Sequence, residues 1–260
     1  MSSADKQIIL ITGATNGIGL DTTVYLARDS PNNHVIMGAR SSSKAEARIK
    51  EVQGKDIKGT LSYVLLDQNE DASISSAVEQ IKKEFGRVDV LVNNAGVCLP
   101  DDKEWAPRET LRATFETNVF GVMLLTEALI PLLKASKNPK VINVTSGLGS
   151  ITGLSPDLDS NNILSNFQHV PSPGYRMSKA ALNMLTAYQY ARLKQDGFKI
   201  WAYCPGYVAT DLTNDREARE AMQWCESSET SAQGILEIVQ GERDGEAGKF
   251  ITKNGGGYPW

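Results

Sequence analysis

"ILITGATNGIG", residues 9–19, runs from an apolar stretch directly into three glycines, Gly13, Gly17 and Gly19. Apolar residues on consecutive positions suit a strand covered on both faces, not one with a solvated side. A strand, a glycine turn and a helix N-terminus make an anion site. Glycine lets the backbone approach a pyrophosphate, and free helix N–H groups face its charge. Thr15, Asn16 and Ile18 complete the turn. The spacing is G-x-x-x-G-x-G, unlike the G-x-G-x-x-G dinucleotide fingerprint, and no lysine follows Gly19 as in a P-loop. A glycine turn can also serve packing alone, so the rest of the chain has to decide.

Outward from this turn, short β-branched runs alternate with longer helical patterns. Strands are expected over Gln7–Thr12, His34–Gly38, Leu61–Leu66, Val88–Val92, Val141–Thr145, Phe198–Tyr203 and Lys249–Ile251. Helices are expected near Gly17–Arg28, Ser43–Gln53, Ser73–Phe85, Glu109–Lys134, Tyr175–Gln195 and Thr230–Val239. Strand–helix alternation predicts an α/β fold: a doubly wound, seven-stranded parallel sheet of Rossmann type with helices on both faces. At 260 residues, with no repeat or linker, residues 1–260 read as a single domain. Gly147–Gly174, rich in Ser, Asn, Asp and Pro, is too long for an ordinary connection and reads as a functional excursion.

A net charge of −4 argues against nucleic-acid binding. Cys98, Cys204 and Cys225 have no metal-type spacing, and His34 and His169 are too isolated for a metal site, so no metal is expected. The apolar "VFGVMLLTEALIPLL" carries Glu127 and Pro131 and reads as a buried helix, not a membrane span. With no targeting segment visible, a cytoplasmic protein with reduced thiols is expected.

The second strand ends "VIMGARSSSK", with Ala39 where an NAD-binding chain usually offers an acid to the ribose 2′-hydroxyl, and then Arg40. A carboxylate would repel a 2′-phosphate, whereas a guanidinium holds it, so NADPH is favoured over NADH. Ser41, Ser42 and Lys44 can assist. Asp67, ending the third strand, is placed to meet the adenine edge or to cap the next helix. In "LVNNAG", after the fourth strand, Asn93, Ala95 and Gly96 are expected to line the cofactor.

Two Tyr-x-x-x-Lys pairs occur, Tyr175/Lys179 and Tyr190/Lys194. The i,i+4 spacing stacks each pair on one helix face. A crossover helix starts near strand carboxyl ends, where ligands bind. Tyr175 opens such a helix, and Tyr190 lies about 22 Å further along at 1.5 Å per residue. Only the first pair belongs at the cofactor edge. There Lys179 favours phenolate and makes Tyr175 a workable proton donor near neutral pH. Lys179 can also bond the nicotinamide ribose. Ser146, ending the fifth strand, can polarise a substrate carbonyl. Asn118 reads either as the holder of a water that passes protons towards Lys179 or as a satisfied core amide.

The stretches "TGATNGIG", "NNAG", "NVFG", "VTSG", "YRMSK" and "PGYVATD" occur in this order. The chain thereby resembles the short-chain dehydrogenase/reductase family over nearly its full length. The resemblance implies a catalytic Asn118–Ser146–Tyr175–Lys179 group. It also implies a "PGYVAT" loop closing on the nicotinamide: Pro205 and Gly206 shape it, Val208 offers backbone bonds to the carboxamide and Thr210 touches the phosphates. Within the family the chain is similar to carbonyl reductases, in the tail "GKFITKNGGGYPW" and in the wide 29-position gap between Ser146 and Tyr175. One departure is Asn16, which stands where carbonyl reductases tend to carry a lysine for the 2′-phosphate.

The function expected is NADPH-dependent reduction of a ketone or aldehyde on a small, mainly apolar substrate. The alternatives are the reverse alcohol oxidation, a cofactor-binding scaffold, or non-redox secondary-metabolite chemistry. Substrate walls are expected from Val97–Trp105, Leu148–Pro173 and a loop at about 211–228, with Trp105, Phe167, His169, Met222 and Trp224 as candidates. The insertion is expected to cover the helical face through which relatives tetramerise, which favours a monomer.

Overall fold

The strand–helix alternation folds into seven strands: β1 (Gln7–Thr12), β2 (Asn33–Ala39), β3 (Thr60–Leu65), β4 (Val90–Asn93), β5 (Lys140–Val144), β6 (Lys199–Cys204) and β7 (Phe250–Thr252). They pair in parallel in the order β3-β2-β1-β4-β5-β6-β7. The computed structural model describes residues 6–99, 105–159, 162–213, 217 and 225–260. Strand bounds lie within about two residues of those expected from hydrophobic patterning. The chain winds outward from β1 to β3, then returns past β1 to β4. That reversal opens a crevice at the carboxyl ends of β1 and β4, where open α/β sheets bind ligands.

Alternation along each strand splits the core into two layers. Ile8, Leu10, Ile36, Leu91, Val141 and Ile200 face α3 (Asp71–Phe85) and α5 (Gly121–Lys134). Ile9, Ile11, Val35, Val92, Ile142 and Trp201 face the opposite layer, where α1 (Gly17–Asp29) packs on α7 (Ser228–Gln240). Each fully buried aliphatic side chain contributes roughly 1.5–3 kcal/mol, so consecutive apolar positions make the two-sided burial of the central strands favourable. Between these lie α2 (Ser42–Gln53), α4 (Arg108–Phe115) and α6 (Pro173–Leu193).

The single helix expected over Glu109–Lys134 is interrupted. α4 passes through a π turn, Glu116–Phe120, into α5. Thr117 explains the break. Its carbonyl accepts from Gln68 Nε2 at 2.6 Å, and its hydroxyl accepts from Asn69 Nδ2 at 3.0 Å. With Thr117 O so engaged, the Gly121 N–H reaches one residue further back, to Glu116 O. Residue 121 must be glycine, because a Cβ there would stand 2.6 Å from Gln68 O. The segment Arg108–Lys134 is long and apolar enough to cross a membrane by length and composition, and half of its most apolar window is buried inside the protein. Leu125, Leu129 and Leu133 belong to the core under the sheet.

The Gly147–Gly174 excursion begins with three short 3₁₀ turns, Gly147–Gly149, Thr152–Leu154 and Ile163–Phe167. It is knitted to the last residues of the chain: Ser150 Oγ donates to Pro259 O at 2.8 Å, and Thr152 Oγ1 donates to Trp260 O at 2.9 Å. It does not cover the helical face as expected. Phe120 at the end of the π turn, Met123 and Leu124 of α5, and Met177, Met184 and Tyr188 of α6 are all exposed. These helices lie side by side, joined by Asn118 to Ser178, Arg192 to Glu127 and Lys134 to Asp196. The reason for favouring a monomer therefore fails, because the excursion packs towards the chain's end and leaves this apolar face open.

The excursion also packs on α6, where Asn183 Nδ2 donates to Gly149 O at 3.2 Å and Arg176 Nε to Val170 O at 3.0 Å, and one of these contacts is tight. A Cβ on Gly149 would stand 2.7 Å from Lys179 C and 2.9 Å from Ala180 N, both backbone atoms that cannot swing aside. Gly149→Ala is expected to destabilise the fold by about 1–3 kcal/mol through overpacking. Thermal melting should show it as a drop of several degrees; an unchanged midpoint would mean that the turn relaxes freely.

Candidate active site

A cavity of about 440 Å³ fills the crevice at the carboxyl ends of β1, β2, β4 and β5. Of the residues proposed from sequence, Gly13, Thr15, Asn16, Gly17, Ile18, Arg40, Asp67, Ala95, Gly96, Tyr175, Lys179, Pro205 and Thr210 line it. The glycine turn is shaped for close approach. Gly13 and Gly17 take left-handed φ of 62° and 49°. A Cβ on Gly17 would stand 3.1 Å from Thr210 Cγ2, which narrows the groove between the turn and the loop after β6. Gly19 is buried behind the turn, where a Cβ would meet Gly13 O at 2.4 Å, so its role is helix–strand packing.

Asn93 is corrected. It lies inside the core, its Nδ2 donating to Thr126 Oγ1 at 3.0 Å and Asn143 Oδ1 at 2.8 Å. Its neighbour Asn94 lines the cavity, and Asn94 Nδ2 donates to Thr12 O at 2.9 Å and Gly13 O at 3.3 Å. This clamp ties the glycine turn to the end of β4. Thr12 Oγ1 reinforces it by accepting from the Asn94 and Ala95 N–H groups. The sequence held the signal in its doubled asparagine, since adjacent strand residues point to opposite faces. Gln68, Asn69 and Thr117 also line the cavity and were not anticipated, whereas Asp211 comes from the start of the expected 211–228 wall. Asp67 lines the cavity but does not cap α3, whose cap position is Glu70; its Oδ1 instead accepts from Asn69 N at 3.1 Å in the turn before that helix.

At the Tyr175 end of the cavity, α6 begins at Pro173, fixed by the ring at its first turn. Tyr175 is 7% and Lys179 4% exposed. Lys179 Nζ lies 5.5 Å from the centroid of the Tyr175 ring and donates to Val144 O at 2.9 Å. Burial pushes the Lys179 pKa down to about 8, with the Cys98 and Cys204 sulfurs pulling the other way. The second pair sits elsewhere: Tyr190 packs against Gly248, at the amino edge of β7.

Ser146 does not line the cavity itself; its Oγ accepts from Leu148 N at 3.2 Å and opens the first 3₁₀ turn of the excursion. Asn118 sits on the π turn, fully buried, with a completely engaged amide. Oδ1 accepts from Val97 N at 2.8 Å, and Nδ2 donates to Val97 O at 2.9 Å and Ser178 Oγ at 3.0 Å. Its side chain is thus the satisfied amide of the two readings, fixing the segment after β4 against α6. A Cβ on Gly96 would meet both Asn118 Oδ1 and Lys179 Nζ, so these two groups flank the same narrow point.

In the loop after β6, Ser231 Oγ donates to Pro205 O at 2.7 Å, and Gly206 turns the chain with φ of 81°. Val208 is buried and bridges Glu226, away from the cavity lining. Of the substrate-wall candidates, Trp105 and His169 are exposed, Phe167 approaches Gly147, and Met222 and Trp224 lie outside the described residues.

The profile of the short chain dehydrogenase family matches residues 7–155. A short-chain dehydrogenase/reductase of Talaromyces stipitatus, tropE, is 30% identical over the whole of both chains. NADPH carbonyl reductase 3 of Rattus norvegicus is 28% identical over 86% of this chain and 90% of its own. Among solved structures, an NADPH-bound carbonyl reductase from chicken fatty liver superposes with a TM-score of 0.82 at 26% identity, covering 98% of this chain and 99% of the other. The parallel sheet with its reversal between β1 and β4, the glycine turn and this match over more than half the sequence lead to one assignment: the chain belongs to the short-chain dehydrogenase/reductase family of oxidoreductases.

Proposed function

We propose that the protein reduces a ketone or aldehyde on a small, mainly apolar molecule, with NADPH as reductant. The observation that carries this reading is the opposition of two groups across one cavity: a buried Tyr175–Lys179 pair at one end, and Arg40 with Lys44 at the other. The cavity fits a dinucleotide where glycine is required, since side chains at positions 13, 17 and 96 would crowd its walls. Arg40, Ser41 and Lys44 would hold the 2′-phosphate, the turn from Gly13 to Ile18 the pyrophosphate, and Lys179 the nicotinamide ribose. The NADPH-bound carbonyl reductase that this chain resembles supports the choice of cofactor. When bound, the cofactor supplies the hydride.

The chain supplies the rest. Tyr175 Oη donates a proton to the carbonyl oxygen as negative charge develops there. Ser146, one residue beyond the lining Thr145, accepts from Leu148 N and so keeps its hydroxyl proton to donate to the same oxygen. Lys179 stabilises the phenolate left behind, which requires its charged form. The test is a screen of ketones, aldehydes and quinones, following loss of NADPH absorbance. Absence of turnover with all three classes, in either direction, would overturn the reading.

A pH dependence follows. The Lys179 pKa is depressed to about 8, so the ammonium persists below that pH and is lost as pH rises through it. kcat/KM for reduction is expected to fall on the alkaline side, with an inflection near 8. A profile flat from pH 7 to about 10 would show that the charge of Lys179 is not used.

A further inference from the structure

The loop after β6 is fastened from behind by a buried lysine that does not line the cavity. Lys253 follows β7, and its side chain is 4% exposed. Its backbone N–H donates to Cys204 O at 3.1 Å, which docks it at the end of β6. Its stem lies against Gly206. A Cβ there would stand 2.7 Å from Lys253 Cε, so the left-handed turn at residue 206 leaves the room that the stem fills. The ammonium pairs with Glu226 and donates to Thr230 Oγ1 at 2.7 Å.

Glu226 is itself tied to the loop. Its N–H donates to Tyr207 O at 3.1 Å and its carbonyl accepts from Ala209 N at 3.0 Å, so it brackets Val208. Lys253 therefore holds the loop at two places, at the Gly206 turn and through Glu226. The residues that flank the held segment, Pro205 and Thr210, both line the cavity, and Thr210 stands across the groove from Gly17. An ion pair with one deeply buried member returns little net stability, because desolvation offsets the attraction. What this pair fixes is the place of the loop.

The sheet order says which half of the cavity the loop meets. Arg40 follows β2 and Pro205 follows β6. Four strand spacings separate them in the order β2-β1-β4-β5-β6, about 19 Å at about 4.8 Å per spacing. Val144 and Thr145, from the adjacent β5 end, line the cavity together with Tyr175 and Lys179. The loop thus belongs to the Tyr175–Lys179 half, remote from Arg40.

We infer that Lys253 is a positioning residue for the nicotinamide half of NADPH, setting the segment from Pro205 to Thr210 against the cavity through Gly206 and Glu226. The inference rests on the NADPH reading proposed above and adds to it a cation that never touches the cofactor.

The experiment compares NADP⁺ with adenosine 2′,5′-bisphosphate, which lacks the nicotinamide half, by calorimetry. The proteins are the unaltered chain, Lys253→Met, Glu226→Gln and the double variant. Lys253→Met keeps the stem beside Gly206 and removes the charge. Glu226→Gln changes a side chain that is half exposed, at unchanged size, so folding is retained. Each single substitution is expected to weaken NADP⁺ about 5- to 10-fold and the bisphosphate less than about twofold. The double variant should lose no more than either single one, since both remove the same pair. The KM for NADPH should rise in parallel. Unchanged NADP⁺ affinity in the single variants would overturn the inference, leaving Lys253 as a pin for the strand end. Equal weakening of both ligands would overturn it as well, because the effect would then not be confined to the nicotinamide half. If the unaltered protein binds neither ligand, the NADPH reading itself falls and takes the role of Lys253 with it.

Discussion

Tyr175→Phe is expected to lower turnover by roughly 10²–10⁴ with little change in cofactor affinity. The substitution keeps the ring, which is almost wholly buried beside Lys179, and removes the proton donor. Tyr190→Phe is the matched control, because that ring packs on Gly248 at the opposite end of the sheet and should tolerate the change. Single-turnover reduction under saturating NADPH separates chemistry from binding. Equal effects from the two substitutions would show that the wrong Tyr–Lys pair has been chosen. A collapse in NADPH affinity with Tyr175→Phe would instead make the phenol a structural support of the ribose end.

Arg40→Asp should shift the ratio of NADPH to NADH efficiency by about 30- to 1000-fold, equivalent to about 2–4 kcal/mol. Two effects add: loss of a charge-assisted hydrogen bond to the 2′-phosphate, and repulsion between the new carboxylate and that phosphate. Arg40 is exposed, so screening by water and salt places the expected value towards the lower end. Because Ser41 and Lys44 remain in the lining, discrimination should fall without a general loss of nucleotide binding. The measurement is kcat/KM with each cofactor at two ionic strengths. An unchanged ratio would remove Arg40 from the phosphate site.

What the sequence determined by itself was whatever is written in neighbouring residues. Apolar runs set the strands, 3.6-residue periodicity set the helices, and the glycines between the first strand and helix marked the turn that lines the cavity. The selection of Tyr175 over Tyr190 needed only the 1.5 Å rise of a helix and the rule that ligands sit at strand carboxyl ends. That Arg40 and Asp67 line the cavity was legible because they stand just past strand ends.

The tertiary structure decided what depends on partners far along the chain. Asn93 and Asn94 are adjacent and chemically identical. Which one faces the cavity was settled by Thr126 and Asn143 accepting one amide and by Thr12 and Gly13 accepting the other. The π turn at Asn118 follows from Gln68 and Asn69 claiming Thr117, a competition that no helical periodicity records. The exposed face of α5 and α6 depended on where the excursion after Ser146 could find hydrogen-bond partners. It found them at Pro259 and Trp260 near the end of the sequence and at Arg176 and Asn183 of α6, away from the exposed Met177, Met184 and Tyr188. Local propensity is additive along the sequence, whereas a buried polar group must take whichever partner the folded backbone brings within 3 Å or so, and that choice exists only once the sheet has closed.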